Sequence, residues 1–122
     1  MGSTEVRVER FVLGGEHTFL GDHGTPYARF ERALRAGNLL NAEAAARDLH
    51  KVNLIDALKL VILYGEKRDR KFEPAARRWL VRLLEEKRLS LDEAKVAAEW
   101  LALLAGDDAD LAAGSLARLV YR

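Results

Sequence analysis

The chain has 122 residues, of which 49% are hydrophobic and 32% charged, with two prolines and no cysteine. This balance is typical of one folded, well-solvated helical protein, and it excludes a disordered chain, a disulfide framework and a thiolate metal site. Because 20 basic residues face 19 acidic ones, the formal net charge is only +1. Any attraction to nucleic acid or to an anionic membrane would therefore depend on local clusters of charge.

The apolar runs and the first residues of the chain indicate a cytoplasmic protein that does not enter a membrane. Residues 1–8 lack the basic start and the continuous apolar run of a signal peptide. No stretch approaches the roughly 18 apolar residues that a membrane span requires. The lack of cysteine also suits a reducing compartment, so we expect a cytoplasmic location.

Residues 1–24 differ from the rest of the chain because they are rich in glycine and hold two of the three histidines. The alternating run over 6–12 is typical of one β-strand or of a weak hairpin, and a lone hairpin is marginal in water. We therefore predict an N-terminal arm over 1–24, flexible or docked, followed by a single helical domain over 25–122.

The helical pattern begins at Thr25 and Pro26, a hydroxyl N-cap followed by proline at the first helical position. This first helix is predicted to reach Ala36, because Gly37 supplies a left-handed stop. A second helix is predicted over about 41–52, and the alanines on one of its faces indicate close contact with another helix.

A third helix is predicted over 54–64, where the residues are apolar on most sides and Asn53 supplies the cap. Gly65 is expected to end or weaken this helix. Pro74 is predicted to open a fourth helix, which continues to about Arg88. Because the third helix is apolar on most sides, we expect it to be the central helix of the fold.

The fifth helix has the clearest start signal, because Ser90 and Glu93 form the sequence of a capping box. Alanines and leucines on one face and a second apolar face elsewhere predict a helix that is largely enclosed before Gly106 stops it. That second face consists of Val96, Trp100 and Leu103. A sixth helix is predicted to follow caps within 107–110 and to continue to the C-terminus.

The predicted fold is therefore all-α, with about six amphipathic helices arranged as three helical hairpins that begin at Thr25, Asn53 and Ser90. The hairpins have roughly the length of a repeat, but no residues recur from pair to pair. A short solenoid and a compact bundle are both compatible with this pattern.

Two tryptophans lie at helical spacing with leucines in these predicted helices. This placement of Trp79 and Trp100 is more typical of core residues than of aromatic side chains that stack on a ligand. Since each indole N–H needs a hydrogen-bond partner, we expect both rings near the edge of the core.

Five stretches of the chain, 24–30, 35–40, 42–47, 77–80 and 89–94, carry a resemblance to a known family. They read GTPYARF, RAGNLL, AEAAAR, RRWL and LSLDEA. In these stretches the chain resembles a family of small all-helical proteins of unknown function from high-GC bacteria. The resemblance covers nearly the whole chain after residue 24, and it implies an all-α fold without implying an activity.

A candidate metal site lies in the N-terminal arm, where His17, Asp22 and His23 supply the ligand types that zinc prefers. No helix fixes the spacing of these residues, whereas zinc motifs such as His-Glu-x-x-His hold their ligands on a rigid turn. A polar tail is therefore favoured over a metal site.

No catalytic constellation is found in the sequence. Ser90 is used as a cap, Ser115 lies in no nucleophile-elbow pattern, and no glycine-rich loop has the residues of a phosphate-binding loop. The carboxylates Glu85 and Glu86 follow Arg82 at helical spacing, which favours surface ion pairs over acid and base catalysis. We expect neither an enzyme nor a bound cofactor.

The most basic part of the chain is predicted in the turn before the fourth helix and on that helix. Clustered cations of this kind bind phosphates, although Glu66, Asp69 and Glu73 lie among them. The candidate nucleic-acid-binding residues are Lys67, Arg68, Arg70, Lys71, Arg77 and Arg78.

These observations favour a non-enzymatic protein–protein interaction or scaffold module, whose exposed helix faces or grooves hold another protein or a second copy of the chain. This hypothesis rests on the amount of helix surface, and on the apolar residues, that a small domain leaves exposed. Those apolar residues are Phe11, Val12, Phe19, Leu20, Leu39 and Leu40. A nucleic-acid-binding accessory protein that uses the basic cluster is the alternative.

Overall fold

The computed structural model describes residues 25–122, which contain six α-helices and no β-strand. The helices are α1 (Pro26–Ala36), α2 (Leu39–Asp48), α3 (Leu54–Glu66), α4 (Phe72–Lys87), α5 (Leu91–Leu103) and α6 (Ala109–Val120). The all-α prediction is therefore confirmed. The arm predicted over 1–24 lies outside the described residues.

The chain groups into two compact units, one that ends at Lys51 and one that covers Val52–Arg122. Within these units the six helices pack as three hairpins: α1 with α2, α3 with α4, and α5 with α6. The single domain predicted over 25–122 stays a prediction. None of the six helices between residues 25 and 122 is long and apolar enough to cross a membrane.

The first unit contains the α1–α2 hairpin, whose caps follow the sequence closely. The Thr25 hydroxyl accepts a hydrogen bond from the backbone N–H of Ala28 at 3.1 Å, which confirms the predicted start of α1. Gly37 has a φ of 69°, and the backbone N–H groups of Gly37 and Asn38 bond to the carbonyls of Leu34 and Ala33. This is the Schellman arrangement that satisfies the last carbonyls of a helix.

The second helix begins two residues earlier and ends sooner than predicted. The side chain of Asn38 accepts from the backbone N–H of Asn41 at 3.0 Å, so the capping residue precedes Leu39. Ala42 and Ala45 are buried, as is Phe30 of α1. The small side chains of α2 therefore lie on its packed face, as the sequence indicated.

In the second unit, α3 does not end at Gly65 as predicted. The helix continues to Glu66, and the left-handed residue is Arg68, with a φ of 51°. The N–H of Asp69 bonds to the carbonyl of Tyr64, and that of Arg68 bonds to Gly65, so the stop is again a Schellman arrangement. Gly65 is buried inside the helix, where the lack of a side chain permits a close contact with the backbone of Leu104.

The fourth helix begins at Phe72, so Pro74 occupies its third position and not the predicted first one. This position tolerates proline, because the N–H groups of the first helical turn have no partner inside the helix. The helix ends at Lys87, and Arg88 adopts a left-handed conformation with a φ of 52°.

The capping box of α5 is confirmed in full. The Ser90 hydroxyl accepts from the Glu93 N–H at 3.1 Å, and the Glu93 carboxylate accepts from the Ser90 N–H at 2.9 Å. The helix is less enclosed than predicted, because Val96 is 39% exposed and Leu103 is 41% exposed. The reason is that only one face of α5 packs inward, with Ala97, Leu101 and the following Leu104 buried.

The sixth helix starts at Ala109, but the predicted acidic cap is not formed. Asp108 occupies the N-cap position and its side chain makes no capping hydrogen bond. Helix α6 contacts α3 and α4 as well as α5. Within this second unit, the four helices therefore enclose one core in the manner of a small bundle, since the first and last helices also meet.

Trp79 lies at the centre of this core and is only 2% exposed, so its predicted core position is confirmed. Its indole N–H donates to the backbone carbonyl of Leu54 at 2.8 Å, which satisfies the polar atom without bringing the ring to the edge. Trp100 is half-buried. Other fully buried side chains of the unit are Leu58, Leu83, Leu104 and Leu116.

Candidate binding groove and basic turn

A groove of about 420 Å³ lies between α4 and α5 of the second unit, and we name it the α4–α5 groove. Most of its surface is apolar, and its two charged residues lie on the same side, on α4. It is lined by Phe72, Glu73, Ala76, Arg77 and Leu80 of α4 and by Ala98, Leu101 and Ala102 of α5. The groove therefore lies on the surface where the α3–α4 hairpin packs against the α5–α6 hairpin.

Small side chains create this groove. Where two packed helices carry large residues, ridges of side chains fill the space between the helix axes. Here alanines occupy positions 76, 98 and 102, and they leave a channel above the buried Leu101. Ala98 and Ala102 are exposed, so the channel opens to the surface.

An ion pair between Glu73 and Arg77 borders the groove on the α4 side. The guanidinium and carboxylate are 3.8 Å apart, and both side chains are 75% exposed. An exposed pair at this helical spacing contributes only about 0.3–0.5 kcal/mol. Either charge can therefore exchange its partner for a ligand group at little cost.

The basic turn, which we define as residues 67–71, directly precedes the first residue of the groove. Lys67, Arg68, Arg70 and Lys71 are all exposed there. The acidic residue of the turn, Asp69, accepts a hydrogen bond from the backbone N–H of Lys71 at 2.8 Å. Its carboxylate is thus used locally, to hold the turn.

Three of the cations in the basic turn have no acidic partner nearby. Among residues 25–122, no salt bridge involves Lys67, Arg68 or Arg70. The same part of the chain offers none to Arg78, which is exposed on α4. Within residues 25–122, these four cations are therefore not held in an ion pair.

The structure divides the six predicted nucleic-acid-binding residues into two groups. The basic turn holds four of them, whereas Arg77 and Arg78 lie more than one helical turn into α4. Consecutive helical residues point about 100° apart, so Arg77 faces the groove and Arg78 faces away from it. Arg77 also shares its charge with Glu73.

Arg82 lies four residues after Arg78 on α4, and it has a structural role. Its guanidinium pairs with the Glu86 carboxylate at 3.0 Å and donates to the backbone carbonyl of Val52 at 3.0 Å. Together with the bond from Trp79 to Leu54, this contact attaches the start of the unit to α4.

The metal-ligand candidates His17, Asp22 and His23 lie outside the described residues. Within residues 25–122 there is no group of three or more His, Cys, Asp or Glu side chains placed to hold a metal ion. The candidate metal site therefore stays a prediction.

A second pocket of about 420 Å³ lies within the α1–α2 hairpin of the first unit. Its lining is more polar, and two of its polar residues already have structural partners. Arg29 pairs with Asp48 at 3.4 Å, and Asn38 caps α2. The same hairpin exposes Leu40 to 73%, as the interaction hypothesis expected, while Leu39 is half-buried.

Glu93 illustrates how strongly an exposed carboxylate can be shifted by direct partners. The pKa of Glu93 is lowered to about 2, because the Arg122 side chain and the Ser90 backbone N–H both donate to its carboxylate. The same contact raises the pKa of Arg122. Since Glu93 is engaged in the cap of α5, this shift indicates a structural role.

Sequence reasoning did not find the α4–α5 groove. The signal was present as Ala98, which the sequence pattern assigned to the packed face of α5, and as Ala102, which that pattern did not single out. Those alanines are exposed, because α5 turns a narrower face inward.

Comparisons with known protein families, curated proteins and solved structures found no match for this chain. The resemblance to small all-helical proteins from high-GC bacteria stays a prediction.

Proposed function

We propose that this chain is a non-enzymatic protein–protein interaction module and that the α4–α5 groove is its binding surface. The observation that carries this proposal is the groove itself: six apolar side chains line an open channel between two packed helices. Grooves of this shape receive helices or extended segments of partner proteins.

The energetics of the groove support a binding role. Its apolar lining would release water when a partner covers it, and each Å² of buried apolar surface contributes about 25 cal/mol. Because Ala98 and Ala102 have short side chains, a partner can approach the backbone of α5 closely. The rim ion pair between Glu73 and Arg77 is weak and leaves the opening adaptable.

A peptide-display selection tests this function without a known partner. The full chain is immobilised, and a library of random peptides is selected against it. The counter-target is Ala98→Trp, in which a large side chain fills the groove from an exposed position. We expect selected peptides to bind the wild-type chain and to lose binding to Ala98→Trp.

Gly114→Trp is the matched control, because it adds the same side chain to an exposed helical position on α6. A Cβ atom at Gly114 would have no neighbour within 4 Å, and because the position is exposed, we expect the added side chain to extend into solvent. Peptides should bind this variant like the wild type. A selection that yields no peptide sensitive to Ala98→Trp would contradict the proposed function.

The second candidate is a nucleic-acid-binding accessory protein, and the unpaired cations of the basic turn favour it. Phosphate contacts release counterions, so such binding weakens steeply with salt. Labelled single-stranded and double-stranded DNA and RNA are titrated with the full chain at about 50 mM and about 300 mM salt. Salt-sensitive binding that Lys67→Glu and Arg70→Glu together abolish would support this candidate, and its absence at low salt would remove it.

A cytoplasmic location and membership in the small all-helical family from high-GC bacteria complete the proposal. The location is supported by the absence of cysteine from the chain. The family is supported by the five sequence stretches that resemble it. Neither the groove nor the basic turn depends on these two statements.

A further inference from the structure

We infer that the occupant of the α4–α5 groove is an amphipathic helix that carries acidic residues at the end lying against the basic turn. This inference rests on the proposed function of the groove and deepens it by stating the chemistry of the partner. It is carried by the continuity of two features of the second unit, an apolar channel and a cluster of cations.

The two features are continuous because the last residue of the basic turn is the N-cap of α4. Lys71 is followed at once by Phe72 and Glu73, which line one end of the groove. A partner lying along the channel would therefore place one of its ends at the basic turn. The other end would reach toward Leu80 on α4 and Ala98 on α5.

The charges at that end are unequal. The segment 66–78 holds six cations and three carboxylates. Asp69 is bonded to the backbone of the turn, Glu73 is paired with Arg77, and Glu66 forms no salt bridge within residues 25–122. Lys67, Arg68 and Arg70 thus remain available to a partner carboxylate, which makes the local surface complementary to an acidic group.

A helix suits this channel better than an extended strand. The channel runs between two α-helices, and the described residues contain no sheet edge to which a strand could add. From Phe72 to Leu80 the channel covers about 12 Å of helix, the length of roughly two turns. A ridge of leucines at helical spacing would fill it above the alanines.

The test uses three synthetic peptides of about 15 residues, long enough to form a helix on binding. All share the same leucine ridge, and the end of each carries glutamates, glutamines or lysines. Dissociation constants for the full chain are measured by fluorescence anisotropy. We expect the glutamate peptide to bind about tenfold more tightly than the glutamine peptide, as a few exposed ion pairs would produce.

Substitutions in the basic turn then assign the preference to its cations. Lys67→Glu combined with Arg70→Glu changes the net charge of residues 66–71 from +2 to −2, so the glutamate peptide should then bind more weakly than the glutamine peptide, whose own affinity should be unchanged. Ala98→Trp should weaken the binding of all three peptides, and Gly114→Trp should weaken the binding of none. The advantage of the glutamate peptide should also shrink as salt is raised.

Several results would overturn the inference. Equal binding of the lysine and glutamate peptides would remove the acidic preference, and binding that ignores Ala98→Trp would show that the groove is not used. Labelled single-stranded DNA that binds more tightly than the glutamate peptide, through the turn alone, would reassign the cations to nucleic acid. Self-association of the chain that Ala98→Trp abolishes would make a second copy the occupant.

The peptides also separate this inference from the function on which it rests. If the glutamine peptide binds in a groove-dependent manner and glutamates add nothing, the proposed function stands and the acidic partner is wrong. If neither the three peptides nor any selected peptide responds to Ala98→Trp, the proposed function itself fails.

Discussion

Gly65 of α3 lies directly against the backbone carbonyl of Leu104, so closely that a Cβ atom added at Gly65 would lie 2.8 Å from that oxygen. Real Cβ atoms do not approach a backbone oxygen this closely, and the backbone of either segment would have to move. Gly65→Ala should therefore destabilise the second unit by about 1–3 kcal/mol. Both tryptophans of the chain lie in this unit, so urea unfolding followed by tryptophan fluorescence measures its stability.

Gly114→Ala is the matched comparison for this glycine. Gly114 also lies within a helix, but an added Cβ atom would meet nothing within 4 Å. Removing the conformational freedom of glycine there should raise the free energy of unfolding by about 0.5–1 kcal/mol. Equal effects of the two substitutions would show that the contact with Leu104 does not limit residue 65.

Arg68 ends α3 in a left-handed conformation that costs a residue with a Cβ atom about 1–2 kcal/mol. Arg68→Gly should relieve this strain and, after the entropy cost of glycine, stabilise the second unit by about 0.5–1 kcal/mol. Urea unfolding checks the change. Arg88→Gly should do the same, because Arg88 has a φ of 52° at the end of α4.

These two variants also distinguish stability from binding. Arg68→Gly removes a cation of the basic turn and should weaken the binding of the glutamate peptide. Arg88 lies outside that turn, so Arg88→Gly should leave this binding unchanged. A loss of binding by a variant that is more stable than the wild type cannot result from unfolding. Unchanged binding by Arg68→Gly would show that this cation takes no part.

The Glu93 carboxylate should make stability depend on pH in acid. Its pKa falls from 4.5 to about 2 on folding, so the stabilisation is fully present above pH 4.5 and is lost as the pH falls toward 2. Glu93→Gln should therefore be less stable than the wild type at neutral pH, and the difference should shrink as the pH falls through about 2. Urea midpoints measured for both chains across this range provide the check.

A constant difference between the two chains at every pH would contradict this account of Glu93. Other carboxylates titrate in the same range, but they are common to both chains and cancel in the comparison. Arg122→Gln is a further control, because it removes the larger cause of the shift and should raise the pKa of Glu93.

The helices could be predicted because their signals are local. Thr25, Asn53 and Ser90 cap the helices that follow them, through hydrogen bonds between residues three positions apart. Gly65 shows where local reasoning fails. Glycine usually marks a helix end, but at Gly65 it serves a contact with Leu104, which is distant in sequence and only the folded chain brings near.

The candidate site was partly visible in the sequence. The four cations of the basic turn were identified from their clustering in the sequence, and their exposure follows from their place in a turn. The groove was not identified, because a helical pattern does not say which of two apolar faces packs inward. On α5 the exposed alanines and the half-exposed Val96 and Leu103 flank a narrow buried face, which depends on where α4 and α6 lie.

The most direct test of the groove as a binding surface is the dissociation constant of one selected peptide for the full chain and two variants. We predict that Ala98→Trp weakens the binding of the peptide at least about tenfold, a loss of about 1.4 kcal/mol in binding free energy. Gly114→Trp should leave the dissociation constant unchanged. Equal affinities for all three chains would place the peptide elsewhere and contradict the assignment of the α4–α5 groove as the binding surface.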